Sequence, residues 1–355
     1  MLQTYILPIQ ERIQETTDTI SLHFFQPKVD RIPYYPGQYI TLKIDIEGTT
    51  HFRSYSMSSN PKLDEQLSIT IKRVQDGIVS NYIHNNLKEG DRVEFLRPAG
   101  RFIAELATKH KRHAVMIAGG SGITPIFSIL KGILFQEPYS QVSLLYANSK
   151  ADNIIFLEQI NELAKKFPHR FHVRYVISQA NNIAHLPTET LQGRINEERL
   201  KGWIKSIPSD PEQEMDYYLC GPTGLLNLSK DCLSSLGIAE KDIHFERFVA
   251  DVDMEKRQKR TLQPSRKVKL KIGEDIQDLW VPSGATVLEA ALSQGIDLPY
   301  SCKRGVCATC MGRLLQGTVE MDDPTALLDF EVEAGKVLIC QCIPTSENVQ
   351  IKVGL

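Results

Sequence analysis

The sequence predicts a multidomain chain: an antiparallel β-barrel, a doubly wound α/β unit on a parallel sheet, and a small domain of strands around a helix. Three observations carry that reading. Much of the first hundred residues alternates apolar and polar positions, the segment from His113 alternates apolar strands with helix-like stretches, and five of the seven cysteines crowd into the last 54 residues. At about 150 residues per domain, 355 residues supply two or three cores.

The barrel is expected over residues 1–104. YITLKIDI (39–46) and LSITIKRV (67–74) have the period of strands with one wet face, and turns are marked at Pro36-Gly37, Asn60-Pro61 and Pro98-Ala99-Gly100. Residues 105–250 form the α/β unit: AVMIAGG and VSLLYA are continuous apolar strands, TPIFSILKGILF lies between them, and FHVRYVIS and DYYLCGP close further strands. IIFLEQINELAKKF places Ile154, Leu157, Ile160, Leu163, Ala164 and Phe167 on one helical face. DVDMEKRQKRTLQPSR (251–266) has few large apolar groups and many charges, the composition of a solvated linker. The last domain, 267–355, contains KVKLKI, VLEAALSQG and VQIKV with a cysteine-rich loop between them.

Composition narrows the function classes. Forty-one basic and forty-three acidic residues leave a net charge of −2, so no global field draws the chain to nucleic acid. No apolar run reaches the roughly 18 to 20 residues needed to cross a bilayer, and the start lacks a basic stretch followed by an apolar core. A cytoplasmic protein without stable membrane insertion is expected. The odd, clustered cysteines favour metal ligation over disulfides.

Cys302, Cys307 and Cys310 stand as C-x4-C-x2-C, with Cys340 after 29 further residues, the plant-type spacing for a [2Fe-2S] cluster. Four-thiolate zinc is the competing reading, but zinc usually takes two close pairs, not a trio and a distant single. Cys342 rivals Cys340, because alternation along a strand VLICQC points both to one side; Cys340 is the expected fourth ligand.

Gly119-Gly120-Ser121-Gly122-Ile123-Thr124-Pro125 lies between an apolar strand and a helix, where small residues let a pyrophosphate approach the backbone. Pro125 holds the third glycine position of the dinucleotide fingerprint, and an unliganded tight turn would look similar. Arg53-Ser54-Tyr55-Ser56 puts Arg53 and Tyr55 on one strand face, available to a phosphate and a flat ring. Gly77 and Ser80 open a helix that offers amides to an anion, or is an ordinary cap. Cys220-Gly221-Pro222 ends a strand at the sheet edge where doubly wound folds bind ligands, while Cys232 reads as packing.

In this order the four motifs resemble the ferredoxin-NADP reductase superfamily, and the terminal cysteines resemble a plant-type ferredoxin of the β-grasp fold. Flavin domain first and iron-sulfur domain last is the order of class-I-like oxygenase reductases. LPYSCKRGVCATC, HFERF and GRI are most similar to the phenylacetyl-CoA epoxidase reductases and their relatives. The resemblance implies FAD, a [2Fe-2S] cluster and NADPH or NADH. Arg53 would bind the FAD pyrophosphate with Gly77 and Ser80, Tyr55 would stack on the flavin, and Ser56 would bond its N5. Gly119, Gly120, Gly122 and Thr124 would hold the pyridine nucleotide pyrophosphate, with Cys220, Gly221, Pro222 and Glu246 around the nicotinamide. Ser56, Cys220 and Glu246 are the catalytic set so implied. The partner would be a diiron oxygenase or desaturase component; a reductase of a separate soluble carrier and a redox sensor without turnover are the alternatives.

The strand ending Tyr146-Ala147-Asn148-Ser149-Lys150 lacks the carboxylate that grips a free ribose 2′-hydroxyl, so NADPH is expected, with Ser178 and Lys150 near its 2′-phosphate. Related reductases pair that serine with an arginine, which Gln179 replaces here. Glu320, Asp322, Asp323, Asp329, Glu331 and Glu333, with no intervening cation, suggest a negative docking face for the partner, or a merely solvated loop.

Overall fold

A computed structural model describes residues 4–179, 186, 190–208, 210, 212–248, 263–300, 303, 305, 308–322, 324 and 326–353. Most of the expected linker, together with Cys302, Cys307 and Asp323, lies outside the described residues.

Six strands build the first sheet: β1 (Thr4–Thr16), β2 (Thr19–Phe24), β3 (Tyr39–Ile46), β4 (Thr49–Ser56), β5 (Leu67–Lys72) and β6 (Arg92–Ala99), in the order β4-β3-β6-β1-β2-β5. The first half of β1 pairs with β6 and its second half with β2, and a bridge from Met57 to Ile69 closes the far edge. Alternate residues, among them Ile20, Leu22, Ile40, Leu42, Ile69 and Phe95, fill the interior. Helix α1 (Ile78–Asn86) follows β5.

The second sheet is parallel throughout, with β7 (Arg112–Gly119), β8 (Gln141–Asn148), β9 (Phe171–Ile177), β10 (Leu191–Gln192), β11 (Glu214–Cys220) and β12 (Ile243–Glu246) in the order β10-β9-β8-β7-β11-β12. All of β7 is buried, because α2 (Ile123–Gln136) and α3 (Leu157–Lys166) cover one face and α4 (Glu197–Ser206) and α5 (Thr223–Ser235) the other. α3 starts later than the apolar pattern suggests: Ile154 follows a single turn and Phe156 is left-handed (φ 60°), so Ile154 packs from a loop. The strand order reverses beside β7, opening a crevice at the carboxyl ends of β7 and β11. Ser128 in α2 donates to the Ser59 carbonyl at 2.6 Å, seating this unit on the barrel.

The third sheet is mixed: β13 (Arg266–Ile272), β14 (Asp275–Val281), β15 (Met311–Gln316), β17 (Lys336–Leu338) and β19 (Val349–Val353) run in the order β14-β13-β19-β15-β17, with β13 parallel to β19. The helix Val287–Ser293, capped reciprocally by Thr286 and Glu289, packs on its apolar face. A separate pair joins β16 (Val319–Met321) to β18 (Cys342–Pro344). VLICQC is therefore not one strand. Ile339–Gln341 is a turn, so alternation cannot be carried from Cys340 to Cys342.

Candidate functional site

Edge strand β4 sorts its residues by pairing. Arg53 and Tyr55 lie opposite Leu42 and Ile40, and Ser54 and Ser56 opposite Thr41 and Tyr39, so the arginine and tyrosine share a face that the serines do not. Arg53 is exposed at the rim and donates to the Phe52 carbonyl at 2.7 Å. Burial outweighs the nearby Arg53 charge and pushes the Tyr55 phenol up, keeping it neutral. Gly77 caps α1 without a side-chain hydrogen bond, which leaves first-turn amides for an anion. Ser80 is buried, and its hydroxyl accepts from the Val74 amide at 3.1 Å, holding the preceding turn. An exposed guanidinium, a half-buried ring and an uncapped helix start fit a flavin nucleotide.

At the second crevice the chain approaches itself as only glycine permits. A Cβ on Gly122 would lie 2.2 Å from the Cys220 carbonyl oxygen, and one on Gly221 would lie 2.9 Å from the Gly119 nitrogen. Beside this cradle is a cavity of about 700 Å³, lined by Gly119–Gly122, the ends of β8 and β9, and the first turn of α5. Neither α2 nor α5 has a side-chain cap at its start, so both aim amides here. Thr124 instead donates to the Ser121 carbonyl at 2.9 Å, so its hydroxyl secures the glycine loop. Ser178 lines the cavity, whereas Lys150 does not; the cations lining it are Lys72, Arg194 just past the Gly193 turn (φ 90°), and Arg247. Of these, Arg194 stands in the GRI segment, which the sequence showed only as a similarity.

Barrel and α/β unit meet where Ser56, Cys220 and Glu246 converge. Cys220 and Glu246 are register partners across β11 and β12, and Ser56 donates to a Glu246 carboxylate oxygen at 3.1 Å. Burial pushes the Glu246 carboxyl up to about 8, with the serine bond acting against it, and raises the Cys220 thiol, aided by Glu246. Both acids hold their protons at neutral pH. An unfolded glutamate would ionise near 4.5, so the folded apoprotein loses stability as pH rises from about 4.5 to about 8. Glu246→Gln is expected to flatten that part of the profile by on the order of 4 kcal/mol. Urea unfolding of the apoprotein between pH 5 and roughly 9 checks this, and parallel profiles for the two proteins would refute it.

For the cluster, the Ile339 amide donates to the Cys310 carbonyl at 3.1 Å, bringing the turn that holds Cys340 beside Cys310. Gln341 Nε2 approaches Cys340 Sγ at 3.7 Å, a donor suited to a ligating thiolate. Cys342 has passed into β18 opposite Met321 and is fully buried. The donor set fits a [2Fe-2S] cluster at Cys310 and Cys340. Cys302 and Cys307 lie outside the described residues.

Family models match three segments: an oxidoreductase FAD-binding domain at 6–103, an oxidoreductase NAD-binding domain at 116–231, and a 2Fe-2S iron-sulfur cluster binding domain at 273–345. One component of the 1,2-phenylacetyl-CoA epoxidase of Escherichia coli is 31% identical over 99% of this chain and 98% of its own. The ferredoxin reductase component of 3-ketosteroid-9-alpha-monooxygenase from Rhodococcus rhodochrous is 31% identical over 99% and 97%. The chain belongs to the oxygenase reductases. Its fold is that of phthalate dioxygenase reductase, with a TM-score of 0.57 at 18% identity over 99% of this chain and 98% of that one. This oxygenase reductase is an NAD(P)H oxidoreductase built for FAD, a pyridine nucleotide and [2Fe-2S]. Among the described residues no helix is long and apolar enough to cross a membrane.

Two groups escaped the sequence reading. Arg194 was not given a role, and Arg97 on β6, which reaches Glu331 of the iron-sulfur domain at 3.0 Å, was not singled out. The glycine before Arg194 is a local hint of a turn, but nothing near Arg97 in sequence reveals its partner.

Proposed function

We propose that this reductase oxidises NADPH and delivers its electrons to an oxygenase component, a diiron oxygenase or desaturase, with a phenylacetyl-CoA-type epoxidase the first to try. The observation carrying the reading is the convergence of Ser56, Cys220 and Glu246 between the barrel and the glycine cradle. When bound, FAD takes a hydride and the cluster accepts single electrons from it.

In this reading Arg53, Gly77 and Ser80 hold the flavin phosphates and Tyr55 flanks the ring. Gly119, Gly120 and Gly122, with Gly221 and Pro222, receive the nucleotide pyrophosphate, and Thr124 keeps their loop closed. Cys220, Ser56 and Glu246 exclude water around the nicotinamide. The buried Glu246 carboxyl, held by Ser56, would stand beside the nicotinamide as a group whose oxygens can stabilise positive charge on that ring. Cys302, Cys307, Cys310 and Cys340 ligate the iron. The division of labour follows 1–104, 105–250 and 267–355, with 251–266 as linker.

Arg194 and Ser178 together supply the charge and the hydroxyl suited to a 2′-phosphate. Arg194→Ala is expected to raise KM for NADPH about 10- to 100-fold and leave NADH nearly unchanged. Steady-state kinetics with both nucleotides decides it, and a parent preference for NADH in kcat/KM overturns the NADPH assignment. The acceptor is tested by NADPH-dependent turnover with purified oxygenase components; coupling only through an added soluble carrier overturns direct delivery.

A further inference from the structure

The acidic run from Glu320 to Glu333 does not all face outward. Glu331 is buried; one of its oxygens accepts from Arg97 at 3.0 Å and from Lys336 at 2.7 Å, and the other accepts from the Leu328 amide at 3.0 Å. The exposed Asp329 pairs with Arg101, two residues past the end of β6. Arg97 also reaches the sulfur of Met311 at 3.2 Å, one residue after Cys310. Tyr39 and Ala99 of the barrel belong to the hydrophobic cluster that contains Cys310, Leu338 and Cys340. Tyr39 is 4% exposed and lies directly opposite Ser56 on β4. One barrel strand therefore touches the proposed hydride site through its pairing and the iron-sulfur domain through its side chain.

We propose that Tyr39, Arg97 and Arg101 form a docking seam that seats the iron-sulfur domain with its Cys310 and Cys340 side toward the flavin barrel, and that the Arg97–Glu331 pair positions it for electron transfer. Each crossing oxidises the reduced flavin by one electron and reduces the cluster by one. Glu331 is thus engaged inside the chain, while Asp329 meets Arg101 at the surface and Glu320 and Glu333 are exposed. The pairing is specific because Lys336 leads through β17 into the turn that bears Cys340, so Arg97, Glu331, Lys336 and the cluster end are linked in one short path. A small displacement of this kind costs rate steeply.

The proposal rests on the FAD and [2Fe-2S] reading, and its test separates the two. Holoenzyme is prepared as parent, Arg97→Glu, Glu331→Arg and the double charge swap, each checked for flavin and iron. Stopped-flow mixing with NADPH follows flavin bleaching and cluster reduction, while hydrogen exchange follows β6 and the helix Asp329–Glu333. Each single variant is expected to keep the rate of flavin bleaching, slow cluster reduction about 10- to 100-fold, and lose exchange protection on both segments. The double swap should recover part of each loss relative to the single variants, since Lys336 and the Leu328 amide still face position 331. Unchanged cluster reduction and protection in the single variants overturn the proposal. Should these variants lose iron or fail to fold, the rim variant Arg101→Gln decides: about a threefold or greater slowing of cluster reduction with reduced protection supports the seam, and neither change overturns it. Parent protein without flavin and cluster would instead overturn the functional reading itself.

Discussion

Cys340→Ser is expected to leave a yellow protein that still takes hydride from NADPH and no longer passes electrons onward. Iron should fall from about two atoms per chain to near zero, since serine is a poor substitute for a thiolate in such a cluster. Turnover with an oxygenase should drop about 100-fold or more, while reduction of a small dye that reacts with the flavin directly persists. Cys342→Ala is the matched comparison. That side chain is fully buried in β18, beyond the turn at Ile339–Gln341, so its loss should cost roughly 1 kcal/mol of packing and keep the iron. Iron and flavin analysis with the visible spectrum checks both. Retained iron in Cys340→Ser, or its loss in Cys342→Ala, would assign the fourth ligand to Cys342.

The second large effect is at the glycine cradle. A methyl group on Gly122 would stand 2.2 Å from the Cys220 carbonyl oxygen, 2.4 Å from its carbon and 2.7 Å from the Gly221 nitrogen. These are backbone atoms at the end of β11, held between β7 and β12, and cannot rotate aside as a side chain would. Gly122→Ala should therefore displace the Cys220 end of β11 or the start of α2, costing about 1–3 kcal/mol and weakening NADP⁺ binding about 10- to 100-fold. Flavin content and chemical reduction of the cluster should be unchanged, because their residues lie in other sheets. Calorimetric titration with NADP⁺ is the measurement, and affinity within about twofold of the parent would show that the cradle can give.

What the sequence by itself determined is whatever is local along the chain. Alternation in YITLKIDI specifies a half-buried antiparallel strand, an unbroken apolar AVMIAGG specifies one covered on both faces, and C-x4-C-x2-C specifies a loop that can surround iron. The order of motifs along the chain then identified the reductase family. Only the tertiary structure decided how separate segments meet. A turn at Ile339–Gln341 breaks the alternation that left Cys340 and Cys342 equivalent, and the amide of Ile339 draws the former toward Cys310. The Gly193 turn carries Arg194 to the cavity beside Ser178, fifteen and more residues from the position where an arginine was missing. Glu331 looked like surface charge until Arg97, more than 200 residues earlier, proved to face it, and the exposed Asp329 stands against the equally distant Arg101. Periodicity records which side of its own element a residue occupies. Which distant group stands opposite depends on the packing of sheets against one another, and no period in the chain encodes that.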